Sequence, residues 1–105
     1  MYKILIIFSL IAIFLIFIFV KPDTNFDIGL HAYNKGNYTK AYNYLKESAE
    51  KGNAEAQYSV AVMYYTGKGV VQDYNQSIYW FKRAISNEHI AAIYQIGVIY
   101  FEGRG

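Results

Sequence analysis

The sequence predicts an all-α protein in which an N-terminal transmembrane helix is followed by a short α-solenoid of helix-turn-helix repeats. Three observations predict this fold. The seventeen positions Ile4–Val20 contain one polar residue, Ser9, and a run of this length and apolarity is typical of a membrane span. The rest of the chain resembles itself at a shift of 36 residues. Within each copy the apolar residues recur with the 3.6-residue period of a helix.

Residues 1–21 are expected to form a signal-anchor helix that stays attached to the mature chain. A helix over residues 4–20 would be about 26 Å long, against about 30 Å for the hydrocarbon core of a bilayer. The alternative is a cleaved signal peptide, which needs small residues near the end of the apolar run. No small residue lies between Ile13 and Pro22. We therefore expect a single-pass membrane protein whose repeats lie outside the cytoplasm, in a periplasmic or other extracytoplasmic space.

The charges and the cysteine count exclude several classes of function. The chain has ten Lys and Arg residues against eight Asp and Glu residues, and two of the basic residues, Lys3 and Lys21, flank the apolar run. The repeats are therefore electrically balanced, unlike the basic surface of a nucleic-acid-binding protein. The absence of cysteine excludes disulfides, thiolate metal sites and a cysteine nucleophile.

The repeat is clearest where residues 54–69 align with residues 90–105 without a gap. Six of these sixteen positions are identical, where about one would be expected by chance. The identical pairs are Ala56/Ala92, Tyr58/Tyr94, Val62/Val98, Tyr64/Tyr100, Gly67/Gly103 and Gly69/Gly105. The predicted units are a first helical hairpin over 22–53, a full repeat over 54–89, and the first helix of an incomplete repeat over 90–105.

Each full unit is predicted to contain two helices. Glycines 67 and 69 end the first helix, because glycine accepts the left-handed conformation at a helix C-terminus. Asn37 and Asp73 begin the second helices as N-caps. Small residues at the helix contacts allow close approach, and large aromatic residues fill the outer gaps. The positions predicted to build the repeat are Gly29, Ala61, Gly67, Gly69, Trp80, Gly97 and Gly103.

With these residues identified, the chain resembles the Sel-1-like repeat family, a branch of the tetratricopeptide-type solenoids. The family pattern is A-x-x-x-L-G-x-x-Y-x-x-G-x-G-V, then an Asp, then a helix with K-A-x-x-W-Y-x-K-A-A. The second unit follows this pattern from Ala56 to Ala84, and the third follows it from Ala92 onwards. The first unit departs from it, because its inter-helix loop is four residues shorter and resembles that of an ordinary tetratricopeptide repeat.

The resemblance implies a rigid stack that binds a protein or peptide in a concave groove lined by the first helix of each unit. The residues expected there are Tyr33, Asn34, Glu55, Tyr58, Val62, Tyr65, Thr66, Tyr94, Val98 and Phe101. Aromatic residues would give this groove large contact areas at low entropic cost. The same rings can also pack between helices, and the sequence leaves both roles open for Tyr58 and Tyr94.

The expected function is that of a membrane-anchored adaptor or scaffold, in the bacterial cell envelope, without catalysis or a cofactor. It would bind a protein or peptide and no nucleic acid. The resemblance leaves three alternatives: an immunity protein that neutralises a toxin, a fragment of a longer repeat protein, and a β-lactam-hydrolysing enzyme. The last is the weakest, because the family members with that activity have paired cysteines. The helix near residues 92–101 would leave an apolar side open, for a partner or for self-association.

Several polar residues are assigned structural roles. His31 and His89 lie 58 residues apart with no acidic partner at a common spacing, so we expect no catalytic or metal-binding role for them. Lys51 and Glu55 are four residues apart, a spacing that predicts pairing on a helix surface.

Overall fold

The computed structural model describes residues 1–19 and 22–104. Residues 20, 21 and 105, which end the predicted anchor and the predicted incomplete repeat, lie outside the described residues. Six α-helices form the described part of the chain. They are α1 (Tyr2–Phe19), α2 (Thr24–Asn34), α3 (Tyr38–Glu50), α4 (Ala54–Thr66), α5 (Tyr74–Ser86) and α6 (Ala91–Phe101). The predicted all-α class is therefore confirmed.

Helix α1 lies where the sequence predicts a transmembrane anchor, but the structure does not support that prediction. Within residues 1–19 and 22–104, no helix combines the length and the apolarity that a bilayer crossing requires.

The other five helices stack in chain order, each packing on the next, from α2 to α6. Two hairpins, α2–α3 and α4–α5, are therefore followed by the single helix α6. The centre of this stack is mainly apolar. Its fully buried large apolar side chains are Leu45, Val60, Met63, Phe81 and Ile99, and the polar residues Ser48, Gln57 and Ser77 are fully buried with them. Trp80 is also buried, and the guanidinium carbon of Arg83 lies 4.9 Å from its ring centroid.

Polar side chains begin four of the five stacked helices. The caps are Asp23 for α2, Asn37 for α3, Asn53 for α4 and Asp73 for α5, each accepting a hydrogen bond from a backbone N–H in the first turn. The two caps predicted from sequence, Asn37 and Asp73, are thus confirmed. Helix α6 begins after Ile90 without a side-chain cap, so its first backbone N–H groups lack the stabilisation that the other helices receive.

Glycine is required where the loop of the second unit folds back on the first. Gly67 ends α4 in the left-handed conformation with φ of 73°, and Gly69 follows with φ of 77°. A Cβ atom at Gly69 would collide with the carbonyl oxygen of Tyr38, the first residue of α3. Lys68, between the two glycines, places its ammonium 5.2 Å from the Tyr38 ring centroid. This loop therefore ties the second unit to the first hairpin.

Candidate functional site

The two hairpins close with the same aromatic contact. In the first unit the rings of Tyr33 and Tyr38 meet edge to face with centroids 5.1 Å apart. In the second unit Tyr65 and Tyr74 meet in the same way at 5.6 Å. Edge-to-face pairs are favourable because the positive ring edge meets the negative ring face. In each case the last turn of the first helix is fixed by the first residue of the second helix.

A cavity of about 220 Å³ opens between α2 and α4, the first helices of two successive units. Its lining residues are Leu30, Tyr33, Asn34, Leu45, Tyr58, Ser59 and Val62. Four of the ten predicted groove residues, Tyr33, Asn34, Tyr58 and Val62, are thus brought together here. The lining is mainly aliphatic and aromatic. Asn34 supplies an exposed polar group, whereas the Ser59 hydroxyl donates to the carbonyl of Glu55 in its own helix at 2.9 Å. Such a composition suits binding of an apolar group next to a hydrogen-bonding group.

Tyr58 borders this cavity and is also held between helices. Its ring stacks on the His89 imidazole, with centroids 4.5 Å apart and planes at 19°, and meets the Phe81 ring edge to face at 5.4 Å. Its hydroxyl accepts a hydrogen bond from the Gln95 side-chain amide at 3.3 Å. The two roles that the sequence leaves open for Tyr58 are therefore combined, since one face packs and the remaining surface borders the cavity.

Glu55 belongs to a contact that the sequence analysis missed. Its Oε1 lies 3.1 Å from Nε2 of His89, which the loop between α5 and α6 brings over the start of α4. The expected pair between Lys51 and Glu55 is wrong. Lys51 instead pairs with Glu47 at 3.4 Å. The reason is that the helix breaks at Gly52, which has φ of 102°, so the four-residue spacing does not place Lys51 and Glu55 on one helix face.

A second cavity, of about 460 Å³, lies on α6. It is lined by Tyr94, Gly97, Val98, Phe101 and Glu102, so it gathers the three predicted groove residues of the third unit. This surface is far more open than the first cavity, because Tyr94 is 73% exposed and Phe101 is 93% exposed.

The remaining predicted groove residues, Glu55, Tyr65 and Thr66, line neither cavity. The Tyr65 hydroxyl donates to Oε2 of Glu102 at 2.9 Å, and the Thr66 hydroxyl donates to the carbonyl of Val62 in its own helix at 2.9 Å. Their polar groups are thus occupied within the protein. The link between Tyr65 and Glu102 joins α4 to the residue that follows α6, a contact between units that residue spacing does not indicate.

Two tyrosine hydroxyls of the stack are held neutral. The hydroxyls of Tyr42 and Tyr64 lie 2.6 Å apart, and burial together with this hydrogen bond raises the pKa of Tyr64 from 10.0 to about 12. The hydrogen bond to Glu102 raises the pKa of Tyr65. Both groups therefore act at neutral pH as hydrogen-bond partners that join neighbouring helices. In the part of the chain that the structure describes, no group of three or more His, Asp or Glu side chains is placed to hold a metal ion.

Comparison with known proteins places this geometry in a family. The Sel1 repeat family matches residues 22–53, 54–89 and 90–105. A chitin synthase regulatory factor 2 from Schizosaccharomyces pombe is 36% identical over 67 residues, which are 64% of this chain and 13% of that protein.

Two further relatives show the same partial overlap. The ERAD-associated E3 ubiquitin-protein ligase component HRD3A from Arabidopsis thaliana is 30% identical over 73 residues, 69% of this chain and 11% of that protein. A putative Sel1-like repeat-containing protein from Acanthamoeba polyphaga mimivirus is 30% identical over 79 residues, 75% of this chain and 14% of that protein. The chain thus spans less than a sixth of the length of these relatives. Since the family match covers most of its residues, with two helical hairpins and a further helix stacked in register, the chain belongs to the Sel1 repeat family.

Proposed function

We propose that this chain is a non-catalytic adaptor whose repeats bind a segment of another protein between α2 and α4. The observation that carries the proposal is the 220 Å³ cavity there, with aliphatic and aromatic walls and an exposed polar group at Asn34. The relatives named above include a regulatory factor of chitin synthase and a component of a ubiquitin-protein ligase. These names describe proteins that act together with another protein, which supports the same function here.

The walls of the cavity are ordered before any partner arrives. Tyr33 is held by the Tyr38 ring, and the Lys68 ammonium lies 5.8 Å from its ring centroid. Tyr58 is held by His89 and Phe81. Rings that are already fixed lose little conformational freedom on binding, so their contact area contributes more fully to affinity.

The proposed ligand is a polypeptide that inserts one aliphatic or aromatic side chain between Tyr33 and Tyr58. The Asn34 side chain is exposed at the cavity, and its amide can both donate to and accept from the backbone of an extended segment. Tyr94, Val98 and Phe101 would extend the contact along the third unit. Glu55, Tyr65 and Thr66 would lie at its margin, because their polar groups are used within the protein.

Photo-crosslinking in the native cell tests this proposal. A photoreactive amino acid replaces Asn34 in the full chain, and a matched control carries it at Tyr79, which is 51% exposed on α5 and outside the cavity. We expect the Asn34 probe to form a discrete adduct with another polypeptide. The added substitution Ser59→Arg should remove that adduct, because a long charged side chain would fill the cavity. Adducts of equal yield at both positions, or an adduct that persists with Ser59→Arg, would contradict the proposal.

We also propose that the repeats work at a membrane, on its extracytoplasmic side. The support is the surface of α1, where the apolar side chains between Ile4 and Ile18 are about half exposed or more, a surface that water solvates poorly. Alkaline extraction followed by sedimentation of the membranes tests this location, and we expect the full chain to sediment with them. As a control, the double substitution Ile11→Asp with Phe14→Asp should move the chain into the supernatant. A full chain that stays in the supernatant would refute it.

A further inference from the structure

The turn between α5 and α6 keeps the shape of the turn before α4 but not its residues. Before α4, Gly52 takes the left-handed conformation and Asn53 caps the helix by accepting from the Ala56 backbone N–H at 3.0 Å. The 36-residue shift places Glu88 and His89 at these two positions. Glu88 also has a positive φ, of 69°, although a side chain makes this conformation costly. A turn that is kept at such a cost points to a role for the residue that it places.

The residue that this turn places is His89, which supports one wall of the cavity between α2 and α4. Its ring stacks on Tyr58, with centroids 4.5 Å apart and planes at 19°, and Tyr58 lines the cavity. The side chain does not cap α6, which begins without a side-chain cap. The imidazole instead directs Nε2 at Oε1 of Glu55, 3.1 Å away, and only 14% of the side chain is exposed.

The surroundings of the two ring nitrogens suit a neutral imidazole. An ionised carboxylate can only accept hydrogen bonds, so the contact with Glu55 assigns the single proton of the neutral ring to Nε2. In the described part of the chain, Nδ1 of His89 is buried and has no hydrogen-bond partner. A second proton, taken up from water, would bind to Nδ1 and turn it into a buried donor without an acceptor. An unpaired buried group is especially costly when it carries charge.

The groups around the ring compensate this cost only in part. Among the described residues, Glu55 is the one charged group that pairs with the ring, and its side chain is 65% exposed, so water screens much of its attraction. The phenol ring of Tyr58, also on α4, adds a weak attraction for a cation. Helix α5 contributes Phe81 and α6 contributes Gln95, both uncharged and both in contact with Tyr58. Glu88 is exposed. A protonated ring therefore gains by turning Nδ1 towards water.

We propose that His89 is a pH-sensitive switch that fixes or releases the Tyr58 wall of the cavity. The neutral imidazole holds Tyr58 in place. The protonated imidazole turns out of its stacked position, and Tyr58 loses its support. The partner segment is then held at neutral pH and released in mild acid, since histidine ordinarily changes its charge between about pH 5 and about pH 8. The release of a partner rests on the function proposed above, whereas the movement of Tyr58 does not.

NMR on the full chain in mild detergent tests the switch without a partner. The tyrosine and histidine rings carry ¹³C, and the substitutions Tyr58→Phe and His89→Phe assign the two signals. As the pH falls from about 7.5 to about 5.5, the Tyr58 signals should move towards those of exposed tyrosines, with the same midpoint as the His89 signal. His89→Phe should abolish this movement, because its ring can stack but cannot take up a proton. The matched control His31→Phe, at the other histidine of the chain, should leave the movement intact.

A second variant separates the support of Tyr58 from the stability of the turn. His89→Asn restores the residue that caps α4 in the preceding unit, so it should cap α6 and slow amide exchange in its first turn by about fivefold. It should also leave Tyr58 unsupported at both pH values, with ring signals like those of the wild-type chain in acid. A residue that only stabilised the turn would not separate these two measurements.

The photoreactive probe at Asn34 tests the release. In cell extracts, the yield of its adduct should fall about threefold or more between pH 7.5 and pH 5.5, because a ring that is no longer fixed must be ordered again on binding. The yield should not depend on pH when the chain also carries His89→Phe.

The two experiments fail in different ways. Tyr58 signals that stay constant while His89 titrates, or that move equally in His89→Phe, would overturn the switch. Movement of Tyr58 with an unchanged adduct yield would overturn its control of binding. The absence of an adduct at both pH values would refute the proposed binding site, and the NMR titration would still decide the switch by itself.

Discussion

At the scale of single residues, one repeat position has opposite environments in two units. Gly29 and Gly97 both lie mid-helix at the place where a second helix approaches, but only Gly29 is covered. A Cβ at Gly29 would lie 2.7 Å from Cγ and 3.1 Å from the backbone nitrogen of the fully buried Leu45. The same residue type therefore serves close packing in one unit and leaves an open surface in the other.

The substitution Gly29→Ala should destabilise the protein, and Gly97→Ala should stabilise it. At Gly29 the added methyl group forces Leu45 and α3 to shift, which costs about 1–3 kcal/mol and exceeds the gain of about 1 kcal/mol in helix propensity. At Gly97 only the propensity gain applies, up to about 1 kcal/mol. Urea unfolding of the full chain in mild detergent, followed by circular dichroism, measures both changes. Equal effects of the two substitutions would show that α3 does not press on Gly29.

Residue spacing predicted the local features of the chain and missed the contacts between distant residues. Asn37 and Asp73 were predictable as caps because a cap depends on a few neighbouring residues. The contact of His89 with Glu55 and Tyr58 was not, because it depends on how the loop after α5 passes over α4. The predicted pair of Lys51 with Glu55 failed for a local reason, the helix break at Gly52.

At the scale of helices, Asp23 joins three elements. Its Oδ1 caps α2 by accepting from the Phe26 backbone at 3.1 Å. Its Oδ2 accepts from the Ser48 hydroxyl of α3 and, at 2.8 Å, from the side-chain amide of Asn53, the cap of α4. Burial alone would raise the pKa of Asp23, but these hydrogen bonds outweigh it and hold the pKa below 3.8.

We expect Asp23→Ala to cost more stability than Asp73→Ala. Loss of the α5 cap at Asp73 should cost about 1 kcal/mol. Loss of Asp23 should cost about 2–3 kcal/mol, because Ser48 and Asn53 lose their acceptor as well. Since the folded-state pKa of Asp23 is lowered, its contribution is present above pH 3.8 and is lost as the pH falls below that value. Urea unfolding at neutral and acidic pH measures this, and equal costs for the two variants would contradict the bridging role.

At the scale of the whole molecule, the 36-residue repeat predicted the stacked helices α2–α6. Self-similarity works here because each unit contacts mainly its neighbours, so one unit's pattern specifies the next contact. It did not predict that seven of the ten expected groove residues divide between two cavities while the other three line neither. The transmembrane assignment of α1 is not supported, because no helix of the described residues has the length and apolarity that a bilayer crossing requires.

Helix α6 should open before the central hairpin of α4 and α5. This helix lacks a side-chain cap, and only Ala92 and Ile99 of its residues are buried, whereas α4 and α5 each have five buried residues. Fewer buried contacts mean a lower free energy of local opening. Hydrogen exchange followed by mass spectrometry should show α6 amides exchanging faster than those of α4, by about tenfold for each ~1.4 kcal/mol of difference in the free energy of opening. Uniform exchange across α2–α6 would mean that the array opens as one cooperative unit.

Trp80 gives this uneven stability an optical consequence. It is the single tryptophan of the chain, it is buried in α5, and the Arg83 guanidinium lies against its ring. Its emission therefore reports the solvent exposure of α5, the second helix of the central hairpin. Helical content reports all the helices together, so a fall in helical content that precedes the change in emission would separate terminal melting from collapse of that hairpin without any added label.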